Sequence, residues 1–208
     1  MTFNEWIEYF VGRRQHVAFN AHDWDGMISR RTVTFGILAF PFGGTPAAAI
    51  GLPASPEAYS VLDGANGFVE GRGAIQLNIL FTPWCSAVPG LFLASRSILD
   101  RLRLRWIPYS GGMPEGREAT EILLRNGDTS LIPSAFVAIH QADTRQPTPL
   151  SDLQDAYIST KVQPVIVRDT GGTLKIPTLV YRLPGDRVRL LGGSVSKEML
   201  ASIADVAG

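Results

Sequence analysis

Apolar residues along the chain change their spacing once. Phe3, Trp6, Ile7 and Phe10 fall at i, i+3, i+4 and i+7, the spacing of one helix face. Thr2 and Glu5 stand at capping-box spacing, and Gly12 is placed to end the helix. A helix this short is marginal alone, so the face bearing Trp6 and Phe10 is expected to dock on the chain's own body or on a neighbouring subunit. From Thr32 the pattern reads as period two. Strands are expected over Thr32–Phe40, Ala74–Phe81, Leu91–Ser95, Leu102–Ile107, Glu118–Leu124, Ala135–His140, Val162–Arg168, Lys175–Leu183 and Arg187–Leu191. Turn formers separate them at Phe42-Gly43-Gly44, Ser110-Gly111-Gly112, Asn126-Gly127-Asp128 and Thr170-Gly171-Gly172. Residues 41–73 are poorly patterned and suit an excursion from the body. Near the end, Ser194 or Ser196 can cap a short helix carrying Met199, Leu200 and Ile203.

Short strands between turn signals predict an all-β protein, a sandwich or jelly roll. The expected organisation is a helix and lead-in segment over 1–31, a β-sandwich body over 32–193 and a helical tail over 194–208, forming one domain overall. Helices confined to the two ends exclude the βαβ rhythm of nucleotide-binding folds.

Composition narrows the function classes. The 208 residues suit one domain able to bury a core without disulfides or metals. Lys+Arg and Asp+Glu number 19 each, so no whole-molecule field gathers nucleic acid. Neutrality favours self-association. Cys85 is the sole cysteine, which excludes an intrachain disulfide and a cysteine zinc cluster and fits a reducing compartment. Residues 1–12 are acidic and aromatic, unlike a signal peptide, and no apolar run has membrane-spanning length.

Candidate chemistry is sparse. His16, His22, Asp23 and Asp25 have metal-ligating side chains, but their spacing matches no known motif and reads as a polar loop. Ser194-Val195-Ser196-Lys197 has the S-x-x-K form of penicillin-binding enzymes. It lacks the accompanying K-T-G strand, and a helix cap explains the serines. Gly67 to Gly73 follows no clear strand and is a poor phosphate cradle. His140 ends an apolar strand and reads as structural. No nucleophile, base and orienter stand at a familiar spacing, so no catalysis and no cofactor are expected. Arg101, Arg103 and Arg105 alternate with Leu102, Leu104 and Trp106. On a strand this puts three guanidiniums on one face, to meet carboxylates within the chain or across a subunit boundary, or RNA phosphates.

The stretch from Ile75 to Trp84, then Ile98 to Tyr109, Gly116 and Asn126-Gly127-Asp128, resembles jelly-roll coat proteins of positive-strand RNA viruses. In tombusvirus- and sobemovirus-like coats a Pro-Trp element, here Pro83-Trp84, precedes a short helix. The start of the chain, Trp6 to Trp24 with Gly12-Arg13-Arg14, is similar to that of picorna-like capsid proteins, as is Ile107-Pro108-Tyr109. The basic arm and clustered calcium-binding aspartates of the tombusvirus-like coats are missing, which favours the picorna-like class. The resemblance implies an eight-stranded antiparallel jelly-roll sandwich with short N- and C-terminal helices. It implies a structural capsid protein, not an enzyme, that self-assembles into an icosahedral virion shell. The implied partners are further copies of itself, sister capsid proteins and weak contact with genomic RNA, with no membrane. The implied location is the virion, and the host cytoplasm during assembly. Trp6, Phe10, Arg101, Arg103 and Arg105 are the expected subunit-interface residues. The rivals are a β-sandwich binding module, lectin-like or a phage tail attachment protein, and an enzyme built on the His16 to Asp25 cluster.

Overall fold

The computed structural model describes residues 50–139 and 146–206, and in them helices and strands are mixed along the chain. The strands are β1 (Leu52–Ala54), β2 (Phe68–Glu70), β3 (Ile75–Phe81), β4 (Leu102–Pro108), β5 (Thr178–Leu183) and β6 (Arg187–Gly192). They form one sheet in the order β1-β6-β5-β3-β4-β2. β3 and β4 are parallel, with Leu77 opposite Leu104 and Phe81 opposite Pro108. Every other neighbouring pair is antiparallel.

Helices cover both faces of this sheet. They are α1 (Pro56–Ser60), α2 (Ala87–Ser95), α3 (Pro114–Asn126), α4 (Ile132–Ala138), α5 (Pro149–Tyr157), α6 (Gln163–Thr170) and α7 (Lys197–Asp205). A π turn, Ile158–Val162, joins α5 to α6. On one face Leu77, Ile79, Phe81, Leu104, Trp106 and Leu179 pack with Leu91 and Phe92 of α2, Leu123 of α3 and Leu200 of α7. On the other, Leu80, Ile107 and Val180 pack with Ala58 of α1, Ile158 and Val162 of the π turn and Ile166 of α6. β3 is covered from both sides, and every residue but Gln76 is buried, Asn78 included. Trp106 is fully buried, with its ring edge-on to Phe81 at 5.7 Å between centroids.

The expected all-β jelly roll is therefore wrong, and so is the exclusion of a βαβ unit: β3, α2 and β4 are one. Parallel neighbours need such a crossover. Four expected strands are helical where described: Leu91–Ser95 lies in α2, Glu118–Leu124 in α3, the expected strand from Ala135 has its residues up to Ala138 in α4, and Val162–Arg168 begins in the π turn and continues into α6. The buried residues of α3 include Gly116, Ala119, Thr120 and Leu123, which is helical spacing. Val162, Val165 and Ile166 repeat it. Two supposed strand turns are helix ends, with Gly127 and Gly171 as the left-handed caps of α3 and α6. Prolines open α1, α3, α4, α5 and α6 in their first turn, where a missing N–H costs nothing.

Ala74–Phe81, Leu102–Ile107 and Arg187–Leu191 do coincide with β3, β4 and β6, and Ser196 caps α7 by accepting from the Met199 N–H at 3.3 Å. The N-terminal helix with Trp6 and Phe10, the strand Thr32–Phe40, the His16 to Asp25 cluster and His140 lie outside the described residues. A parallel βαβ unit joined through a helical excursion to an antiparallel hairpin and a final helix, in the order β4-β3-β5-β6, is a thioredoxin-like arrangement.

Candidate functional site

In open sheets with parallel strands, ligands gather beyond the carboxyl ends of those strands. β3 and β4 end side by side, and the Tyr109 N–H donates to the Phe81 carbonyl at 3.0 Å just past that end. The chain leaving β3 turns at once: the Cys85 N–H donates to the Thr82 carbonyl, and the Cys85 carbonyl accepts from Val88, both at 3.0 Å. Cys85 thus leads into the first turn of α2, half-buried. Its thiol donates to the carbonyl of Ile176 at 3.5 Å. The following bond, Ile176–Pro177, is cis and leads into β5.

The loop after β4 forms the opposite wall. Ser110 is fully buried. Its carbonyl accepts from the Trp84 indole at 2.7 Å, and its hydroxyl accepts from the Gly112 N–H at 3.0 Å. Asp155 of α5 accepts from the Ser110 N–H at 2.8 Å and from the Ser110 hydroxyl. Gly116 lets α3 come close: a Cβ there would lie 2.9 Å from the Ser110 carbonyl oxygen and 3.1 Å from the Trp84 ring. Beside this network opens a cavity of about 620 Å³, lined in part by Tyr109, Gly111, Gly112, Arg117, Asp155 and Gln163. Its size is that of a small-molecule site. Burial, then the charges of Asp155 and Cys85, push the Tyr109 phenol up to about 12, so it stays neutral and keeps its donor proton at ordinary pH. A second cavity of about 600 Å³ lies between β1, β6 and α6, with Lys175 as its only ionisable lining residue. No cysteine, histidine or carboxylate lines it.

The thiol therefore stands at the mouth of a helix, next to an aromatic and a polar cavity. A C-x-x-C pair at such a helix start is a redox motif. Here the position three residues on is Val88, fully buried. Cys85 has no second cysteine to close upon.

The residues expected from sequence lie elsewhere. Arg101 is exposed and pairs with Asp205 of α7. Arg105 donates to the Leu62 carbonyl at 2.9 Å and also to that of Ala65, with Asp63 at 3.8 Å. Arg103 is exposed with no partner among the described residues. Ser194 and Lys197 are exposed, and Ser196 is a helix cap. The Gly67 to Gly73 run lies against the backbone of β4 and its approach, with a Cβ on Gly73 falling 1.8 Å from the Arg101 carbonyl oxygen. It serves close packing and leaves no room for a phosphate. Among the described residues no three His, Cys, Asp or Glu side chains gather as metal ligands, and no helix is long and apolar enough to cross a membrane. Sequence reasoning missed Cys85, Tyr109 and Asp155. The available signal was Cys85 four residues after the end of a strand, next to the Pro83-Trp84 pair assigned to a coat-protein element.

No family model matches the sequence, and neither does any curated protein. Solved structures do. The catalytic domain of ScsC from Proteus mirabilis is similar at TM-score 0.48 and 11% identity, over 73% of this chain and 98% of that one. BcfH from Salmonella enterica Typhimurium gives TM-score 0.47 and 16% identity, over 71% and 76%. A thioredoxin-like oxidoreductase from Silicibacter pomeroyi gives TM-score 0.43 and 16% identity, over 70% and 94%. The described residues form one mixed sheet covered by helices on both faces, and not the jelly roll that implied a coat protein. The coat-protein resemblance is corrected, and with it the virion shell, the lectin-like or tail-attachment alternative, the absence of enzyme function, the sister-capsid and RNA partners, and the virion or host-cytoplasm location.

Proposed function

We propose that this chain is a single-thiol oxidoreductase in which Cys85 exchanges disulfides through a mixed disulfide. The observation that carries this reading is the placement of Cys85. The only thiol of the chain stands half-buried at the start of α2, against the Ile176 carbonyl and at the edge of the Tyr109–Asp155 wall.

The chemistry follows from thiol–disulfide exchange. The Cys85 thiolate attacks one sulfur of a disulfide R–S–S–R. The S–S bond breaks, RS⁻ departs with the electron pair and takes up a proton, and Cys85–S–S–R remains. A second thiol from solution then attacks the R-side sulfur and releases Cys85. Because Val88 occupies the position of a resolving cysteine, that second thiol must come from another molecule. The thiolate is the attacking form. The neutral Tyr109 phenol is a donor within the same wall.

The test compares folded and urea-unfolded chain against glutathione disulfide at one pH, followed by intact mass. The expected product is one adduct at Cys85, reversed by dithiothreitol, forming at least tenfold faster in the folded chain. Cys85→Ser should form none. A folded chain that reacts no faster than the unfolded one would refute the reading, because the fold would then add nothing to an ordinary thiol.

A further inference from the structure

The cavity lined by Tyr109, itself a neighbour of the thiol, contains two charged side chains with different amounts of unused bonding capacity. Each oxygen of Asp155 already accepts a bond from Ser110. Arg117 is different. Its nearest carboxylate is Asp152 at 3.6 Å, beyond a good hydrogen bond, and both side chains are about half exposed. Such a pair contributes little and leaves most of the guanidinium fork unspent. The remaining lining at this end is Gly111, Gly112, Ser159, Gln163 and Thr173, small or neutral.

Arg117 is also held close to the thiol's neighbours. It follows Gly116, which packs on Trp84 and Ser110, and its own N–H donates to the Met113 carbonyl in the first turn of α3. Met113 offers that helix no side-chain cap, so the positive end of α3 lies at the Gly112 edge of the cavity, where an anion is favoured. Asp155 opposes this with one negative charge. Selection must therefore come from the geometry of the Arg117 fork, which matches a carboxylate in a way a point charge does not.

Resting on the thiol-exchange reading of Cys85, we infer that the cavity takes small disulfides bearing a carboxylate, with Arg117 as the residue that selects them. The carboxylate lies on Arg117 while the disulfide reaches Cys85. One half of the disulfide is transferred to Cys85 and the other leaves as its thiolate.

The experiment measures second-order rates of adduct formation at Cys85 with dithiodipropionate, hydroxyethyl disulfide and cystamine, which are anionic, neutral and cationic. Wild type should prefer the anionic over the neutral probe by about tenfold, the scale of one charge-assisted pair, and should disfavour cystamine. In Arg117→Gln the anionic-to-neutral ratio should fall toward one, and Arg117→Lys should recover only part of it. Thermal melts of both variants check that the fold is retained. A ratio unchanged by Arg117→Gln, equal rates for all three probes, or a preference for cystamine would overturn the inference while leaving the thiol reading intact. Failure of every probe to outpace the unfolded chain would overturn both.

Discussion

Asp155 is where the site and the stability of the fold meet, and its removal has a calculable cost. Its carboxylate accepts from the Ser110 N–H at 2.8 Å and from the Ser110 hydroxyl. Ser110 is fully buried, and its carbonyl holds the Trp84 indole at 2.7 Å. Asp155→Ala strips both acceptors at once. Leaving a buried donor unsatisfied costs about 1–3 kcal/mol. Both donors belong to a fully buried residue and lose their acceptor together, so the total is ~3 kcal/mol. Alanine is the better helix former in α5, which offsets at most about 0.7 kcal/mol. For a chain of this size each kcal/mol shifts Tm by about 2–4 °C, so a fall of about 6–12 °C is expected. Urea unfolding followed by tryptophan fluorescence should show a lower midpoint at unchanged slope. Asp155→Asn, which keeps one acceptor oxygen, should lose about half as much. A loss below about 1 kcal/mol for Asp155→Ala would refute the reasoning, since a truly buried, unreplaced N–H cannot cost so little.

Two further outcomes concern pH. Burial pushes the Asp169 carboxyl up, but bonds from the Ser55 hydroxyl and N–H and the Arg168 guanidinium outweigh it and hold the group below 3.8. A depressed folded value means stability present above the ordinary carboxylate range and lost as pH falls through it. Urea midpoints should therefore decline below about pH 4, and Asp169→Asn should flatten part of that decline. Tyr109 and Tyr181 are both pushed up to about 12, chiefly by burial. A phenol raised in the folded state contributes stability below its ordinary value of 10.0 that is lost as pH rises toward 12. Tyr109→Phe should make alkaline unfolding less steep over that window, and an unchanged profile would remove Tyr109 from the buried wall.

What the sequence by itself determined is local. The runs that become β3 and β4 alternate apolar and polar residues over their first half and are apolar beyond it, and both were legible as strands. Ser196 at the head of α7 was legible as a cap. The single cysteine already ruled out an internal dithiol. The helices inside the chain were not legible, because over five to eight residues an element packed between sheet and neighbours shows apolar residues off its main stripe. A period of 3.6 then cannot be told from 2. Val162–Arg168 is the clearest case: its valines and isoleucine favour strands by propensity, while Val162, Val165 and Ile166 are buried at helical spacing. The same ambiguity turned Gly127 and Gly171 from helix caps into hairpin turns.

Only the tertiary structure decided the pairing order and hence the site. Cys85 meets Ile176 across 91 positions, and Ser110 meets Asp155 across 45. Contacts so distant leave no periodic trace in the chain. They arise because β5 inserts beside β3, carrying Ile176 to the start of α2, and because α5 packs on α3 behind the loop after β4. The residues that make a thiol site from a lone cysteine are ordinary in sequence and become particular only where two parallel strands end together.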